Sequence, residues 1–467
     1  MSQRDQLVSE CVLVLDIGKT NIKVQVLDNR LSPVFERGKA NSVLSASPYP
    51  HFDVDAIWHW LLSVIRDAAK VHNIAAISVT THGATAAVVD RNQPGNGLVL
   101  PLLDYESELP ESRSAQYQRV RPGFQETLSP NLPLGLNLGR QLFWLQGEFP
   151  NAFQKATNIL LYPQYWVWRL TGVACSEVTS LGCHTDLWNP RKRDYSSLVG
   201  SMGWGSLFAP IKAADETAGT VRHSICEQTG LNPNCRVTVG IHDSNASYLR
   251  YINRDTDKNF AVISTGTWAI TMASGVPLDR LDEQRDMLAN VDYRGRPVAC
   301  ARFMAGRDYE RICQQLGYTP DTPVTEKDIA DIIKRGAYAL PQFTPGSGPF
   351  PNREGLLSDG TDEINGAALA TMYSALMLDV ELDILKAEGD IFIEGAFLRN
   401  RLLCRLLASL RRDQTVYLSG DEAGTTKGGA VLAGFEEFMT ESLELCQPLT
   451  VTDLYLYQEN WTAYLTQ

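Results

Sequence analysis

Two short stretches of this chain pair apolar runs with a tight polar turn, and the turn residues are of the kind that hold phosphate. Val12 to Asp28 reads VLVLDIGKTNIKVQVLD, and Phe260 to Ala273 reads FAVISTGTWAITMA. The first turn carries Asp16, Gly18, Lys19, Thr20 and Asn21; the second carries Ser264, Thr265, Gly266 and Thr267. Glycine and small hydroxyl residues at such a tip offer backbone N–H groups to an anion, and a neighbouring carboxylate can anchor a metal. Two such tips facing each other suggest a nucleotide held between two related domains. Either tip alone is an ordinary β-hairpin turn. Gly18-Lys19-Thr20 is not a P-loop. That motif needs a glycine where Leu13 stands and a helix afterwards, whereas the residues after Thr20 alternate like a strand.

The elements that must position these turns follow from periodicity. Asp53 to Lys70 has helical spacing, with Ile57, Trp58, Leu61, Leu62 and Ile65 on one face. Ile74–Thr81 and Thr85–Asp90 read as strands, and Val99–Glu106 continues the layout, placing Asp104 just after an apolar run. The tripeptide Thr81-His82-Gly83 falls where a buried strand ends, a ligand position in open α/β sheets. Arg140–Gly147 and Gln164–Leu170 read as helices whose Trp144, Trp166 and Trp168 belong to the core. Val237–Gly240 is a short apolar run that leads into Ile241-His242-Asp243-Ser244-Asn245-Ala246. The second half repeats the plan. Glu363–Ala387 is a long helix, Asp390–Glu394 a strand, Asn400–Arg411 a helix, Thr415–Leu418 a strand, and Glu422–Phe438 a small-residue segment entering a helix. The domain boundary is expected between residues 245 and 258, dividing the chain into domains 1–246 and 247–467.

Composition narrows the function classes. The 467 residues suit about two domains. A formal charge of −12 and no basic run argue against nucleic-acid binding. No apolar stretch reaches the ~20 residues that span a bilayer. MSQRDQLVSE lacks a signal peptide's apolar core. Nine scattered cysteines without a CxxC pair indicate neither a zinc site nor a disulfide framework. A cytoplasmic setting is expected, with no membrane partner and a homodimer as the default assembly.

Five ordered elements carry a family likeness: Asp16-Ile17-Gly18-Lys19-Thr20-Asn21, Thr81-His82-Gly83, Gly240-Ile241-His242-Asp243, Ser264-Thr265-Gly266-Thr267-Trp268, and Glu394-Gly395 with Glu422-Ala423-Gly424. The chain resembles the FGGY carbohydrate kinases over essentially its full length. That resemblance implies an α/β fold of two ribonuclease-H-like domains, of the actin and hexokinase type, with a cleft between them. It implies ATP and Mg²⁺ as cofactors and a small sugar as substrate. By the same resemblance Asp243 is the general base. A sugar hydroxyl is a poor nucleophile until a positioned carboxylate accepts its proton. Asp16 would hold the Mg²⁺, directly or through water. Gly18, Lys19, Thr20 and Asn21 would approach the β- and γ-phosphates, and Thr265, Gly266 and Thr267 would form a second phosphate loop. Gly395, Ala396, Asn400, Ala423 and Gly424 fall at the adenosine site, and Thr81, His82, Gly83, Asp104, Asp243 and Ser244 at the sugar.

The pattern departs from the family in places. Ala396 replaces the second glycine of Gly-Gly-x-x-x-Ser, and Asn400 fills the hydroxyl position. Leu102-Leu103-Asp104-Tyr105-Glu106 stands where many relatives have Trp-x-Asp-x-Arg, and Thr81 where many have Met. The Ala396 and Asn400 departures bear on the adenine contacts, whereas the missing Trp and Arg suggest a divergent subgroup nearer the rhamnulose and fuculose kinases than glycerol kinase. Taken alone, several residues have second readings. Asp243 could cap the helix that Ser244 opens, His82 could be a buried structural histidine, and Lys23 could reach phosphate or be solvated. For the whole chain the expectation is a kinase of a ketose or deoxyketose such as a pentulose, rhamnulose or fuculose. The alternatives are a glycerol or polyol kinase, a non-catalytic sugar-responsive regulator, and an actin- or chaperone-like ATPase.

Overall fold

A computed structural model describes residues 10–252, 258–361, 363–420, 424–435 and 443–466. The chain divides into two compact units: Met1–Ile252 with Ala289–Arg296 and Ala423–Met439, and Asn253–Leu288 with Pro297–Glu422 and Thr440–Gln467.

The first unit is built on a seven-stranded mixed sheet. The Val12 run becomes strand Glu10–Ile17, which pairs antiparallel with Asn21–Leu27, and that strand pairs antiparallel with Pro33–Ala40. On its other side Glu10–Ile17 runs parallel to Asn73–Thr81, whose neighbours Arg236–Thr238 and Ile241–His242 are also parallel. Thr217–Thr220 closes that edge antiparallel to Arg236–Thr238. Near-continuous burial of Val12, Leu13, Val14, Leu15 and Ile17 is what a central strand covered on both faces requires. Helix Val54–Ala69 covers one face through Ile57, Leu61, Leu62, Ile65 and Ala68, and its Asp53 cap accepts the Ala56 N–H at 2.9 Å. Trp144, Trp166 and Trp168 are buried in the core, as their spacing predicts.

The second unit repeats the order. Phe260–Thr265 pairs antiparallel with Ala269–Ala273, which pairs antiparallel with Pro297–Phe303. Phe260–Thr265 then runs parallel to Asp390–Gly395, and Asp390–Gly395 parallel to Val416–Ser419. Leu443–Leu445 closes that edge antiparallel. Both units thus place a hairpin tip beside the end of a parallel strand. Helix Gly366–Leu385 is buried on nearly every face, so its sequence lacks a polar stripe.

Two expectations need correction. Val99–Glu106 forms no strand; Leu98 and Leu103 make only isolated bridges, to Val89 and His51. Asp243 does not cap its helix but is its first residue, with His242 at the cap position and no side-chain capping bond. The small-residue helix spans Gly424–Leu432 in the first unit, while Glu422 and Ala423 lie outside the described residues. No described helix is long and apolar enough to cross a membrane.

Candidate active site

Within the first unit the sheet brings three motifs to one place. The first hairpin closes through Gly18 N–H to the Asn21 carbonyl at 2.9 Å, with Asp16 opposite Lys23 across the strands. Asn41 holds this tip from the side: its N–H donates to the Thr20 carbonyl at 2.7 Å and its side-chain amide to the Gly18 carbonyl at 2.9 Å. The Thr20 and Asn21 side chains are exposed. Parallel pairing sets Thr80 beside Asp16, and the Thr80 hydroxyl donates to Asp16 Oδ1 at 2.8 Å. One residue on, His242 registers against Thr81. The His82 N–H donates to the Ile17 carbonyl at 3.1 Å, and a Cβ on Gly83 would lie 2.7 Å from His242 Nε2. Gly83 therefore lets the Thr81-His82-Gly83 turn close against the histidine that precedes Asp243.

Asp243 is about a third exposed, with a side-chain accessibility of 30%. Its Oδ1 accepts the Ser244 N–H at 2.6 Å and lies 3.2 Å from His242 Nε2. The opposite ring nitrogen of His242 is 2.7 Å from Asn245 Oδ1, whose own amide nitrogen donates to the Val291 carbonyl. That second bond fixes which end of Asn245 is oxygen, so His242 Nδ1 carries a proton. His242 Nε2 faces the Asp243 carboxylate as an ion-pair contact. Burial alone would lower the His242 pKa, but the Cys183 sulfur and the Asp243 carboxylate outweigh it and raise it. The His242 N–H donates to Thr179 Oγ1 at 3.1 Å, and that hydroxyl donates to the buried Glu177 carboxylate at 2.6 Å.

His82 sits in a cage of three rings, Phe52 and Tyr105 with centroids at 5.4 Å and Tyr162 at 4.8 Å. Its Nδ1 is 2.9 Å from the Gly83 carbonyl, which makes Nδ1 the donor and leaves Nε2 a lone pair. Nε2 is buried and has no hydrogen-bond partner. Burial pushes the His82 pKa down to about 4, so the ring is neutral. Tyr105 also lies against Lys19, whose ammonium is 4.9 Å from that ring and 5.3 Å from Phe52. Lys19 pairs with Asp104 and, at 3.3 Å, with Glu106.

Asp16 tests whether a divalent cation suits this site. Its carboxylate is buried, and burial together with the nearby Asp243 charge raises its pKa to about 7. Two carboxylates that repel each other at a strand end are the hard oxygen donors a magnesium ion takes. Among the described residues no cluster of three or more His, Cys, Asp or Glu could enclose a metal.

The second unit holds a cavity of about 820 Å³ at its own hairpin tip, lined by Gly266, Thr267, Gly306, Arg307, Phe397 and Asn400 among others. Gly266 N–H closes the tip onto the Trp268 carbonyl at 2.8 Å. The Thr265 hydroxyl donates to the Glu394 carbonyl at 2.6 Å and accepts the Phe397 N–H at 3.0 Å, joining the tip to the neighbouring strand end. Gly395 has φ +89°, and its Cα faces the Thr265 carbonyl so closely that no Cβ fits. Ala396 lines the cavity and is exposed. Asn400 caps helix Arg401–Leu410 by accepting the Leu403 N–H at 3.1 Å and donates to Thr371 at 2.8 Å, so both ends of its amide are engaged. Gly424 lies in the first unit, against Arg250. Sequence reasoning did not single out the ring cage, Asn245, Cys183, Glu177, Arg307 or Phe397. Only His242 and Asn245 had a sequence signal, their place beside Asp243 at a helix start.

Two family models together cover most of the chain. Residues 11–249 match the N-terminal domain of the FGGY family of carbohydrate kinases, and residues 257–441 match the carbohydrate kinase FGGY C-terminal domain. An L-fuculokinase of Haemophilus influenzae is 26% identical over 287 residues, covering 56% of this chain and 57% of that protein. A probable L-xylulose kinase of Pasteurella multocida is 27% identical over 296 residues, covering 59% and 57%. The chain thus spans little more than half the length of these curated relatives. A solved carbohydrate kinase from Novosphingobium aromaticivorans is 35% identical, superposes with a TM-score of 0.89 and is covered to 99%, with 98% of this chain. The chain belongs to the FGGY family of carbohydrate kinases.

Proposed function

We propose that this chain transfers the γ-phosphoryl group of ATP to a hydroxyl of a small sugar, a ketose or deoxyketose, with Asp243 as the general base. The observation that carries the reading is Asp243 itself. One carboxylate oxygen is engaged by Ser244 and His242, and the neighbouring turn offers His82 Nε2, a buried acceptor without a partner. A sugar hydroxyl donating to His82 Nε2 would be fixed beside the base, the orientation that makes a loosely bound alcohol reactive. As the sugar oxygen bonds to the γ-phosphorus, its proton passes to Asp243 Oδ2, and the bond from phosphorus to the bridging oxygen of ADP breaks. His242 keeps the carboxylate aimed through its 3.2 Å ion-pair contact with Oδ1. In this reading Thr81, Gly83, Ser244 and Asp104 belong to the sugar site, with Lys19 paired to Asp104.

Asp16 would hold a Mg²⁺ ion, which when bound supplies positive charge for the phosphoryl oxygens. Gly18, Thr20 and Asn21 supply the first phosphate turn, and Thr265, Gly266 and Thr267 the second. The cavity beside Gly395, Ala396 and Phe397 suits the nucleoside; Asn400 contributes there by anchoring the helix start. We assign the sugar and first phosphate turn to a domain of residues 1–246 and the nucleotide to residues 247–467.

A coupled ADP-release assay with pentuloses, rhamnulose, fuculose and glycerol tests the reading. Turnover stimulated by a ketose is expected. Stimulation by glycerol alone makes it a polyol kinase, sugar-independent turnover an ATPase, and no turnover with any of them a regulator.

A further inference from the structure

The Gly18-Lys19-Thr20 turn invites Lys19 to bind phosphate, but its side chain is committed elsewhere. The ammonium is paired to the Asp104 carboxylate and lies 3.3 Å from Glu106. Lys19 and Asp104 are largely buried, with side-chain accessibilities of 16% and 10%, while Glu106 is exposed at 58%. Phe52 and Tyr105 flank both this ammonium and the His82 ring. The lysine and the unpartnered His82 Nε2 therefore share one aromatic floor. Withdrawing the ammonium toward a phosphate would strip Asp104 of its counter-charge in a largely buried place, which is costly.

We propose that Lys19 is a specificity-determining residue for the sugar rather than a phosphate ligand, acting with Asp104 and Glu106 to bind adjacent hydroxyls of an uncharged sugar. An ammonium offers three donors and no acceptor, whereas carboxylates only accept. A hydroxyl does both, so a pair of neighbouring hydroxyls can accept from Lys19 and donate to Asp104 or Glu106. A sugar acid is disfavoured because two carboxylates already face the single ammonium. The electrostatic setting agrees: His82 senses Asp243, Lys19 and His242, and Tyr105 senses Glu106, Asp243 and Asp104.

This inference rests on the assignment of His82 and Asp243 to a sugar site, and its test separates the two. Steady-state kinetics of the full chain, Lys19→Met and Lys19→Arg would be measured with L-fuculose, L-rhamnulose, L-xylulose, D-xylulose and D-gluconate. For the best ketose, Lys19→Met is expected to raise the sugar KM at least tenfold and leave the ATP KM within twofold. Lys19→Arg should recover part of the loss, and D-gluconate should be the poorest acceptor for the unaltered chain. A raised ATP KM with an unchanged sugar KM, or no change in either, overturns the proposal while leaving the kinase reading intact. If the unaltered chain shows no sugar-stimulated turnover, the kinase reading fails. Calorimetry with the same sugars then decides: binding weakened in Lys19→Met supports the proposal, and equal binding or none overturns it. Should Lys19→Met fail to fold, Glu106→Gln, altered at an exposed carboxylate, must raise the sugar KM by itself, and an unchanged value counts against the proposal.

Discussion

Asp243 and His242 form a pair whose division of labour can be measured. Replacing Asp243 by Asn keeps a side-chain oxygen for the Ser244 N–H but removes the carboxylate proposed as the base. Loss of a general base costs about 10²–10⁴-fold, or about 2.7–5.4 kcal/mol of transition-state stabilisation. Asp243 is 30% exposed and its Oδ1 contacts are to its sequence neighbours His242 and Ser244, so the variant should fold, with stability changed chiefly through buried Asp16 and His242, whose pKa values its charge helps raise. His242→Asn removes the 3.2 Å contact to Oδ1. Hydrogen bonds to a charged group are worth about 1.5–3 kcal/mol, so kcat should fall roughly 10–150-fold, with the sugar KM moving much less. If His242 works only by aiming the carboxylate, the double variant should be no slower than Asp243→Asn alone, within about twofold. The assay is ADP release at saturating sugar and ATP for the four proteins, with thermal melts as controls. Fully additive losses would refute the idea that His242 acts through Asp243. A near-normal kcat for Asp243→Asn would remove Asp243 from catalysis altogether.

Three further outcomes are expected. Asp16→Asn should abolish the dependence of turnover on Mg²⁺ concentration while calorimetric sugar binding persists; an unchanged Mg²⁺ profile would exclude Asp16 as the metal anchor. Gly428→Ala places a methyl against the Ala246 carbonyl in the helix that begins at Asp243. Helix propensity favours alanine by about 0.8–1.0 kcal/mol, yet backbone overlap of this kind costs about 1–3 kcal/mol, so a lower melting temperature is expected and a higher one would contradict the packing. Glu381 is buried and accepts the Thr271 hydroxyl at 2.6 Å, and burial raises its pKa well above the ordinary value. A carboxyl raised in this way loses folding stability as pH climbs from the ordinary glutamate range toward the folded value. Glu381→Gln should therefore gain stability relative to the unaltered chain between pH 5 and pH 8, and a gain independent of pH would contradict the assignment.

Much of this architecture can be read from the residues because the signals are local. The alternating run after Thr20 rules out a helix, and the structure indeed has strand Asn21–Leu27 there. The helical spacing of the Ile57 face and the apolar, β-branched run from Val12 each predict their element from short-range chemistry. The Lys19 partnership is different. Asp104 lies 85 residues away along the chain, and no periodicity announces that pairing. His82 could be suspected from its strand end, but its tautomer depends on the Gly83 carbonyl and its isolation on three rings from distant segments. Asn400 shows the converse limit: one residue type serves equally as helix cap and ligand contact, and only its partners Leu403 and Thr371 distinguish the uses. Val99–Glu106 misleads because an apolar run reports burial rather than strand pairing.

The Gly424–Leu432 helix has a consequence for how the protein is made. Its Gly429 faces Val14 and Thr80, its Gly428 faces Ala246, and its Thr426 hydroxyl bonds to Gln25. Val14 shares its strand with Asp16 and Ala246 its helix with Asp243, yet the helix packed against them is synthesised about 180 residues after Ala246. A nascent chain that has finished the first unit's sheet still exposes the groove these glycines fill. Asp16 and Asp243 therefore reach their final packing only when nearly the whole polypeptide has been translated, so a chain truncated before residue 424 is expected to leave both carboxylates without this helix against their elements.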